Sequence, residues 1–388
     1  MSILSKKTGG SQKWHCRPVV AGSAASSCPE TGRMPADNEQ QVAGNATSHR
    51  TQKLSSRRWR RFKANKRGYY SLILFSLCFL LSLGAEILSN DKPLLVSYQG
   101  NLYFPLLQEY PETTFGGEFA TEADYQDPFV KEKLTSGSNF ALFAPNPHSF
   151  ASINLTLNQP VPSPPDRSNY LGTDDRGRDV LARLLYGFRL SVVFAFVLTF
   201  IGTVIGIITG AVQGYLGGRT DLFMQRFIEI WSAMPELYLL IIFASIFKPS
   251  VLLLLILLSI FGWMGLADYV RAEFLKGRNL DYVKAAKALG VGNITIMFRH
   301  LLPNGMTPVI TFLPFRLSGS ILALTSLDFL GLGVPPPTPS LGELLAQGKN
   351  NIEAWWLSLT TFGVLVGTLV LLIFIGEALR ETFDPRKV

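Results

Sequence analysis

The sequence has little cysteine, little histidine and little charge, and each shortage excludes a class of site. Only 16% of its 388 residues are charged, well below the roughly one quarter that is usual in soluble globular domains. The three cysteines are scattered, so neither a disulfide framework nor redox chemistry is predicted. The four histidines show no ligand spacing with one another, which argues against a zinc site. These residues are Cys16, Cys28, Cys78, His15, His49, His148 and His300.

The phosphate-binding loop G-x-x-x-x-G-K-[ST] does not occur anywhere in the sequence. An ATPase of that class needs its glycines and its lysine around the phosphates. We therefore predict that the chain is not an enzyme and binds no cofactor of its own.

Acidic residues are absent from one basic segment. Residues 53–67 carry eight Lys or Arg and no Asp or Glu, and an apolar run follows at once. The net charge of +8 would suit nucleic acid, but basic residues beside an apolar run are typical of the cytoplasmic flank of a membrane span. We predict no nucleic-acid partner, a basic segment with a first span at 53–89, and a disordered tail at 1–52.

Long apolar runs are abundant, since 47% of the residues are hydrophobic. A helix that crosses the hydrocarbon layer needs about 20 mainly apolar residues, and six segments qualify. They are residues 69–89, 190–215, 228–247, 251–270, 306–331 and 357–377. The predicted fold is an all-α polytopic membrane protein. Its third and fourth spans are separated only by "KPS" at 248–250 and should form an antiparallel pair.

The second span carries four glycines spaced by four residues. Such residues share one helix face, and that face lets another backbone approach closely. Packing within this subunit is favoured over the lining of a transport path. The glycines are Gly202, Gly206, Gly210 and Gly214.

The positions of Lys and Arg predict the orientation of the chain. The N-terminus, residues 271–304 and the tail at 381–388 are predicted to be cytoplasmic. The loop at 90–186 then lies outside, and its part at 90–179 has 12 Asp or Glu against 6 Lys or Arg. Because so long a loop is not a simple connection, we predict a small folded periplasmic unit, followed by a membrane core at 187–380.

Three features of the predicted outside segments are less specific. Asp174, Asp175 and Asp179 suggest a cation site, but the calcium-loop spacing is missing, so solvated turn and cap carboxylates are favoured. Trp355 and Trp356 are predicted to be interfacial anchors. The amphipathic piece "SLGELLAQGKNN" before them fits an outside docking partner or a plain interfacial helix equally well.

The segment "DYVKAAKALGVGNITIMFRHLLPN" at 281–304 is predicted to be a cytoplasmic elbow between two spans. Good helix formers fill 282–289, and Gly290 supplies the left-handed position that ends the helix. A second helical piece at 294–302 ends where Pro303 opens the next span.

Small and apolar side chains make this elbow a docking candidate. Ala285 and Ala286 keep the first helix thin, so that a partner protein can close around it. Larger apolar side chains for contact with such a partner are those of Tyr282, Leu289 and Phe298. The alternative, which composition alone favours, is an interfacial loop helix whose Lys and Arg reach lipid phosphates.

The run "KAAKALG" followed by "HLLP" resembles the EAA loop of ABC importer permeases. That loop reads Glu-Ala-Ala, three residues, Gly, nine residues and a hydrophobic-x-Leu-Pro ending. The matching positions are Ala285, Ala286, Gly290, Leu302 and Pro303. Lys284 stands where the family usually has Glu, and His300 where it has an aliphatic residue.

Two other stretches resemble the C-type subunits of dipeptide and oligopeptide importers. They are "NYLGTDDRGRDVLARLLYGFRLSV" at 169–192 and "SLDFLGLGVPPPTPSLGELLAQG" at 326–348. The loop containing "NDKPLLVSYQGNLYFPLLQEY" is closer to the Yej-type permease associated with peptide and microcin C uptake. The resemblance extends from about residue 57 to the C-terminus.

The resemblance implies a type I ABC importer permease fold in the bacterial inner membrane, with peptides or peptide-like compounds as cargo. It implies that the elbow docks on a cytoplasmic ATPase, which holds the ATP and Mg²⁺, and that a sister permease and a periplasmic binding protein complete the system. The implied ATPase-coupling residues are Tyr282, Lys284, Ala285, Ala286, Leu289, Gly290, Phe298, Leu302 and Pro303.

A secondary transporter or channel is the competing function, since such proteins need ionisable residues near the middle of the membrane. Arg316 lies deep enough in the fifth span to be a candidate for the translocation path. We favour a polar interior or a sister subunit as its surroundings over proton relay. An anchored extracytoplasmic binding module leaves five spans and the elbow unexplained.

Overall fold

The computed structural model describes residues 58–136, 139–154, 157 and 159–383. The tail predicted at 1–52 therefore lies outside the described residues, as do residues 384–388. The helices are α1 (Lys66–Leu83), α2 (Ala85–Leu88), α3 (Pro128–Thr135), α4 (Val180–Leu216), α5 (Gly218–Ser232), α6 (Glu236–Ile246), α7 (Val251–Phe261), α8 (Met264–Gly277), α9 (Asp281–Ala288), α10 (Asn293–Thr295), α11 (Leu302–Phe329), α12 (Leu341–Asn350) and α13 (Trp355–Phe383). The strands are β1 (Leu95–Tyr98), β2 (Asn101–Tyr103) and β3 (Phe140–Leu142).

Five helical segments within the described residues are long and apolar enough to cross a membrane. They are α1, α4, α7 with α8, the continuous helix from α10 to α11, and α13. The pair of α5 and α6 makes a sixth if it counts as one span. α4 has 37 residues and is about 55 Å long. Since the hydrocarbon layer is only about 30 Å thick, α4 extends well beyond it.

The third predicted span, residues 228–247, is not one straight helix. α5 ends at Ser232, α6 begins at Glu236, and the two are bent by 66°. Pro235 precedes α6; it has no N–H to donate and disfavours helical backbone at the residue before it. α6 and α7 are separate helices on either side of "KPS", as the sequence predicts. The Ser250 hydroxyl caps α7 by accepting a hydrogen bond from the Leu253 N–H at 3.1 Å. Their antiparallel pairing stays a prediction.

The residues between α2 and α4 include a three-stranded sheet and a small apolar core. The sheet has the order β2-β1-β3 with both pairs antiparallel. Val96 of the central strand is fully buried against Phe115 and Leu134. The side of the membrane on which these residues lie stays a prediction.

Asp174 and Asp179, before α4, are buried, which corrects the expectation of solvated carboxylates for these two, whereas Asp175 is exposed as expected. Asp179 is the N-cap of α4: its side chain accepts from the Ala182 N–H at 2.8 Å and from the amides of Asn146 and Asn169. Asp174 is also fully buried. No group of three or more His, Cys, Asp or Glu that could hold a metal ion occurs among the described residues.

An ionic cluster joins the start of α4 to α12. The fully buried Arg183 pairs with Glu343, and Arg178 bridges Glu343 and Asp174, with an Arg178–Asp174 distance of 2.6 Å. α12 begins at the N-cap Ser340 and buries Leu341 and other residues between α11 and α13. α12 thus packs into the molecule, as neither of the two interpretations of its sequence anticipates.

Only one of the two tryptophans before the last span is exposed. Trp355 is 60% exposed, as an interfacial anchor would be, but Trp356 is 6% exposed. The Trp356 indole donates to the Thr173 carbonyl at 3.2 Å. The prediction of an interfacial anchor is therefore wrong for Trp356, because its ring packs in the core between α4 and α13.

Candidate functional site

The elbow at 281–304 begins with a short helix that ends as the sequence predicts. α9 stops at Ala288, and Gly290 has φ +79°. The Gly290 N–H donates to the Lys287 carbonyl at 3.0 Å, and the Val291 N–H donates to the Ala286 carbonyl at 3.1 Å. These two bonds are the Schellman closure. The left-handed position favours glycine, because a side chain there would crowd the backbone.

The second arm of the elbow differs from the prediction. Residues 294–302 are not a separate piece that ends at Pro303, because the helix continues without interruption from α10 into α11. Ile296–Leu301 form a π-helical turn. Pro303 lies just after it, in the first turn of α11. Proline has no N–H for the usual bond to the residue four before it, and the wider turn accommodates that loss.

The elbow is attached to the membrane helices by buried apolar side chains. Val283 of α9 and Ile296 and Leu301 of the π-helical turn are buried in one cluster. Their neighbours in that cluster include Val270 and Phe274 of α8. Ala286 and Leu302 pack partly against the same cluster, so these two predicted coupling residues face inward as well as outward.

The outer side of α9 carries exposed apolar side chains. Leu289 is 84% exposed and Tyr282 is 42% exposed, although large apolar side chains are more often buried. Ala285 is also exposed. Lys284 lies 3.8 Å from Asp281, and both are exposed, so this ion pair contributes little to stability. Lys284 is therefore available to a partner.

Phe298 belongs to the π-helical turn and not to α9. It is 58% exposed and lines an apolar cavity of about 360 Å³ that it shares with Ile208 and Leu216 of α4. The structure thus brings Phe298 next to α4, which the sequence did not indicate.

Two side-chain hydrogen bonds that the sequence analysis missed hold the elbow, one to the end of α4 and one between the two ends of the elbow itself. The Tyr215 hydroxyl at the end of α4 donates to the Asn293 side-chain oxygen at 2.8 Å. The Asn304 amide donates to the Tyr282 hydroxyl at 3.3 Å. Polar residues in a loop carry no local signal of such partners, because Tyr215 and Asn293 are 78 positions apart.

The four glycines of α4 all face the span made by α7 and α8. A Cβ built on Gly210 would lie 2.4 Å from the Ala267 carbonyl oxygen, and one on Gly214 would lie 2.5 Å from that of Arg271. Gly206 faces Leu266 at 3.0 Å in the same way. We call this contact the glycine seam: Gly202, Gly206, Gly210 and Gly214. It supports the expectation of packing within the subunit.

Arg316 meets the seam at one end. Its guanidinium donates to the Gly262 carbonyl at 2.7 Å, in the break between α7 and α8. A Cβ on Gly202 would lie 2.7 Å from the same Arg316 nitrogen. A charged side chain inside the membrane is costly unless it finds such polar partners. The bond gives Arg316 a role in holding the helix break; a role in the translocation path stays a prediction.

A family model described as binding-protein-dependent transport system inner membrane component matches residues 187–388. These residues include the glycine seam, Arg316, the elbow and α12.

Individual relatives are similar over more of the chain. The inner membrane ABC transporter permease protein YejE of Escherichia coli strain K12 is 54% identical, over 86% of this chain and 98% of that one. The peptidoglycan transport system permease protein YejE of Agrobacterium fabrum is 49% identical, over 86% and 93%. The dipeptide transport system permease protein DppC of Haemophilus influenzae is 36% identical, over 56% and 74%.

Proposed function

The chain belongs to the binding-protein-dependent transport system inner membrane components, the permease subunits of ABC importers, and from this premise we propose that it is one of two permeases in a peptide importer. Members of this family are multi-pass inner-membrane proteins and not enzymes themselves. ATP hydrolysis comes from separate subunits. The proposal concerns the cargo, the partners and the residues that couple hydrolysis to transport.

The cargo we propose is a peptide or a compound that contains a peptide, including compounds of the microcin C type. The names of two relatives specify peptidoglycan and dipeptide transport, and both materials contain amide-linked amino acids. Uptake of radiolabelled di- and tripeptides by cells that lack the chain, with and without its gene restored, tests this. Equal uptake in both strains for every peptide would contradict it.

The elbow at 281–304 is proposed as the surface on which a cytoplasmic ATPase docks. One observation supports this proposal. Val283 anchors the elbow to the membrane helices because it is buried in their apolar cluster, whereas Leu289 exposes its apolar side chain to solvent. Exposed apolar side chains on a short rigid element are typical anchors of an interface. ATP and Mg²⁺ belong to the ATPase, whose closure moves the elbows of two permeases.

The remaining partners follow from the same family. A sister permease completes a heterodimer, a periplasmic binding protein delivers the cargo, and lipid surrounds the spans. In this arrangement both termini and the elbow lie in the cytoplasm, and the unit between α2 and α4 lies in the periplasm. The unequal distribution of Lys and Arg along the sequence supports that orientation.

Co-purification with the ATPase tests the docking surface. Leu289→Asp places a charge in the proposed interface, and we expect at least a tenfold loss of ATPase binding, since an apolar anchor contributes about 1.5–3 kcal/mol. Ile352→Asp is the matched control, because Ile352 is 85% exposed and lies outside the elbow. Equal ATPase binding by the two variants would contradict the proposal.

A second pair of variants tests the shape of the elbow. Gly290→Pro cannot adopt the φ of +79°, because proline is fixed near −65°, so coupling should be lost while membrane insertion remains. Lys284→Gln should have a milder effect, since the side chain is exposed and only weakly paired. Transport-linked ATPase activity in reconstituted vesicles is the measurement. Normal coupling in Gly290→Pro would refute the role of the elbow.

A further inference from the structure

A strongly basic surface lies where α1 begins. The helical residues 58–64 and the first turn of α1 carry six Lys or Arg, and all six are exposed. No Asp or Glu occurs between residues 53 and 67. We call this surface the basic patch: Arg58, Arg60, Arg61, Lys63, Lys66 and Arg67.

Among the residues that the structure describes, four cations of the basic patch have no carboxylate partner. Arg60, Arg61, Lys66 and Arg67 take part in none of the ion pairs found within the described part of the chain. They also make no cation–π contact there. Their donors therefore remain available to an external anion, and a guanidinium matches the geometry of a phosphate.

The patch is held in place on the last span. The Arg58 guanidinium lies 4.9 Å from the Phe383 ring centroid, and the Asn65 amide donates to Glu381 at 2.9 Å. A Cβ on Gly68 would lie 2.1 Å from Ala378, so α1 and α13 are in close contact. A topology signal needs only charge beside a span, whereas this segment is also folded against the end of α13.

The neighbouring side chains indicate what meets the patch. Trp59 is 50% exposed and Tyr70 is 65% exposed, and Lys63 lies over the Trp59 ring. Such aromatic residues prefer the headgroup layer of a membrane. Along α1 the exposed side continues with Leu74 and Leu77, as a lipid-facing surface does. These neighbours fit a position of the basic patch at the level of the lipid headgroups.

We infer that the basic patch binds the headgroups of anionic phospholipids and so attaches the joined ends of α1 and α13 to the membrane surface. Each Lys or Arg near an anionic surface contributes about fivefold in affinity. Removing three unpaired arginines should therefore weaken binding of an anionic lipid by tenfold or more.

Native mass spectrometry of the full-length chain in detergent tests this inference. The probes are dioleoyl phosphatidylglycerol and dioleoyl phosphatidylcholine, which differ in charge but not in acyl chains. We expect phosphatidylglycerol to bind at least tenfold more tightly, and we expect the triple variant Arg60→Gln, Arg61→Gln, Arg67→Gln to lose that preference. All three side chains are exposed, so the variant should fold; an unchanged melting temperature checks this.

A charge-matched control removes three exposed cations elsewhere. The variant Lys131→Gln, Arg167→Gln, Arg176→Gln lowers the net charge equally and should keep the preference for phosphatidylglycerol. The inference is overturned if wild type shows no preference, if the control loses as much as the test variant, or if the test variant keeps the preference. Binding of millimolar glycerol phosphate by wild type, together with no preference for phosphatidylglycerol over phosphatidylcholine, would assign the patch to a free phosphate instead.

Discussion

The glycine seam between α4 and α8 should not tolerate a single added methyl group. In Gly210→Ala the new Cβ would lie 2.4 Å from the Ala267 carbonyl oxygen and 2.8 Å from the Val270 Cβ. One obstacle is backbone and the other is a Cβ, so neither can rotate away. An ordinary contact begins at 3.4 Å, which means that α8 has to retreat by about 1 Å.

The loss of stability caused by this displacement of α8 can be worked out from the packing contacts that it opens. A gap of 0.5–1 Å forfeits roughly a quarter to a half of the dispersion energy of each contact it opens, and overpacking a close contact costs about 1–3 kcal/mol. At about 2 °C per kcal/mol for a chain of this size, the melting temperature should fall by roughly 2–6 °C. Thermal unfolding of the full-length chain in detergent measures it.

Gly367→Ala is the matched control for Gly210→Ala. Gly367 lies inside α13 and has nothing within 4 Å of a built Cβ, so only helix propensity acts, and alanine gains up to about 1 kcal/mol. Gly202→Ala should fall between the two, because its first contact is the end of the Arg316 side chain, which can move. Equal melting temperatures for Gly210→Ala and Gly367→Ala would refute the claim that the glycine seam leaves no room for a methyl group.

Three further substitutions test the contacts around α4 and α12 by the same melting assay. Glu343→Gln removes a charge partner of the fully buried Arg183 and should cost about 3 kcal/mol; a change below 1 kcal/mol would contradict the ionic cluster. Asp179→Ala removes the α4 cap and should cost about 1–2 kcal/mol; wild-type stability would show that water replaces it. Trp356→Phe loses a buried hydrogen bond worth about 1 kcal/mol, whereas Trp355→Phe should be neutral; the reverse order would contradict the burial of Trp356.

Local features of this chain could be predicted from its sequence. The end of α9 depends on Gly290 and the residues beside it, and the seam depends on glycines that recur at the period of one helix. The break before α6 also has a local cause, Pro235, but the apolar composition of 228–247 concealed it, since a window average does not register a single missing N–H.

Long-range contacts could not be predicted in this way. Trp356 was placed at the membrane interface because tryptophan before a span is commonly found there, yet its partner, Thr173, is 183 positions away. Glu343 and Arg183 are 160 positions apart. The amphipathic pattern of α12 identified a helix with one apolar face, but periodicity does not say whether lipid, a partner or the chain itself covers that face.

The packing of the elbow indicates which helices move with it. Val283 of the elbow is buried in the same cluster as Phe274 of α8, and Phe274 in turn faces Gly214 of α4, where a Cβ would lie 2.6 Å from its own. Close-packed contacts of this kind do not allow the packed elements to move independently. A displacement of the elbow should therefore also displace α8 and α4. The bent pair of α5 and α6 is different, because Ile228 and Leu240 are the only residues of these two helices that are buried within the described chain. Relative motion within this subunit is therefore expected at that pair and not at the seam.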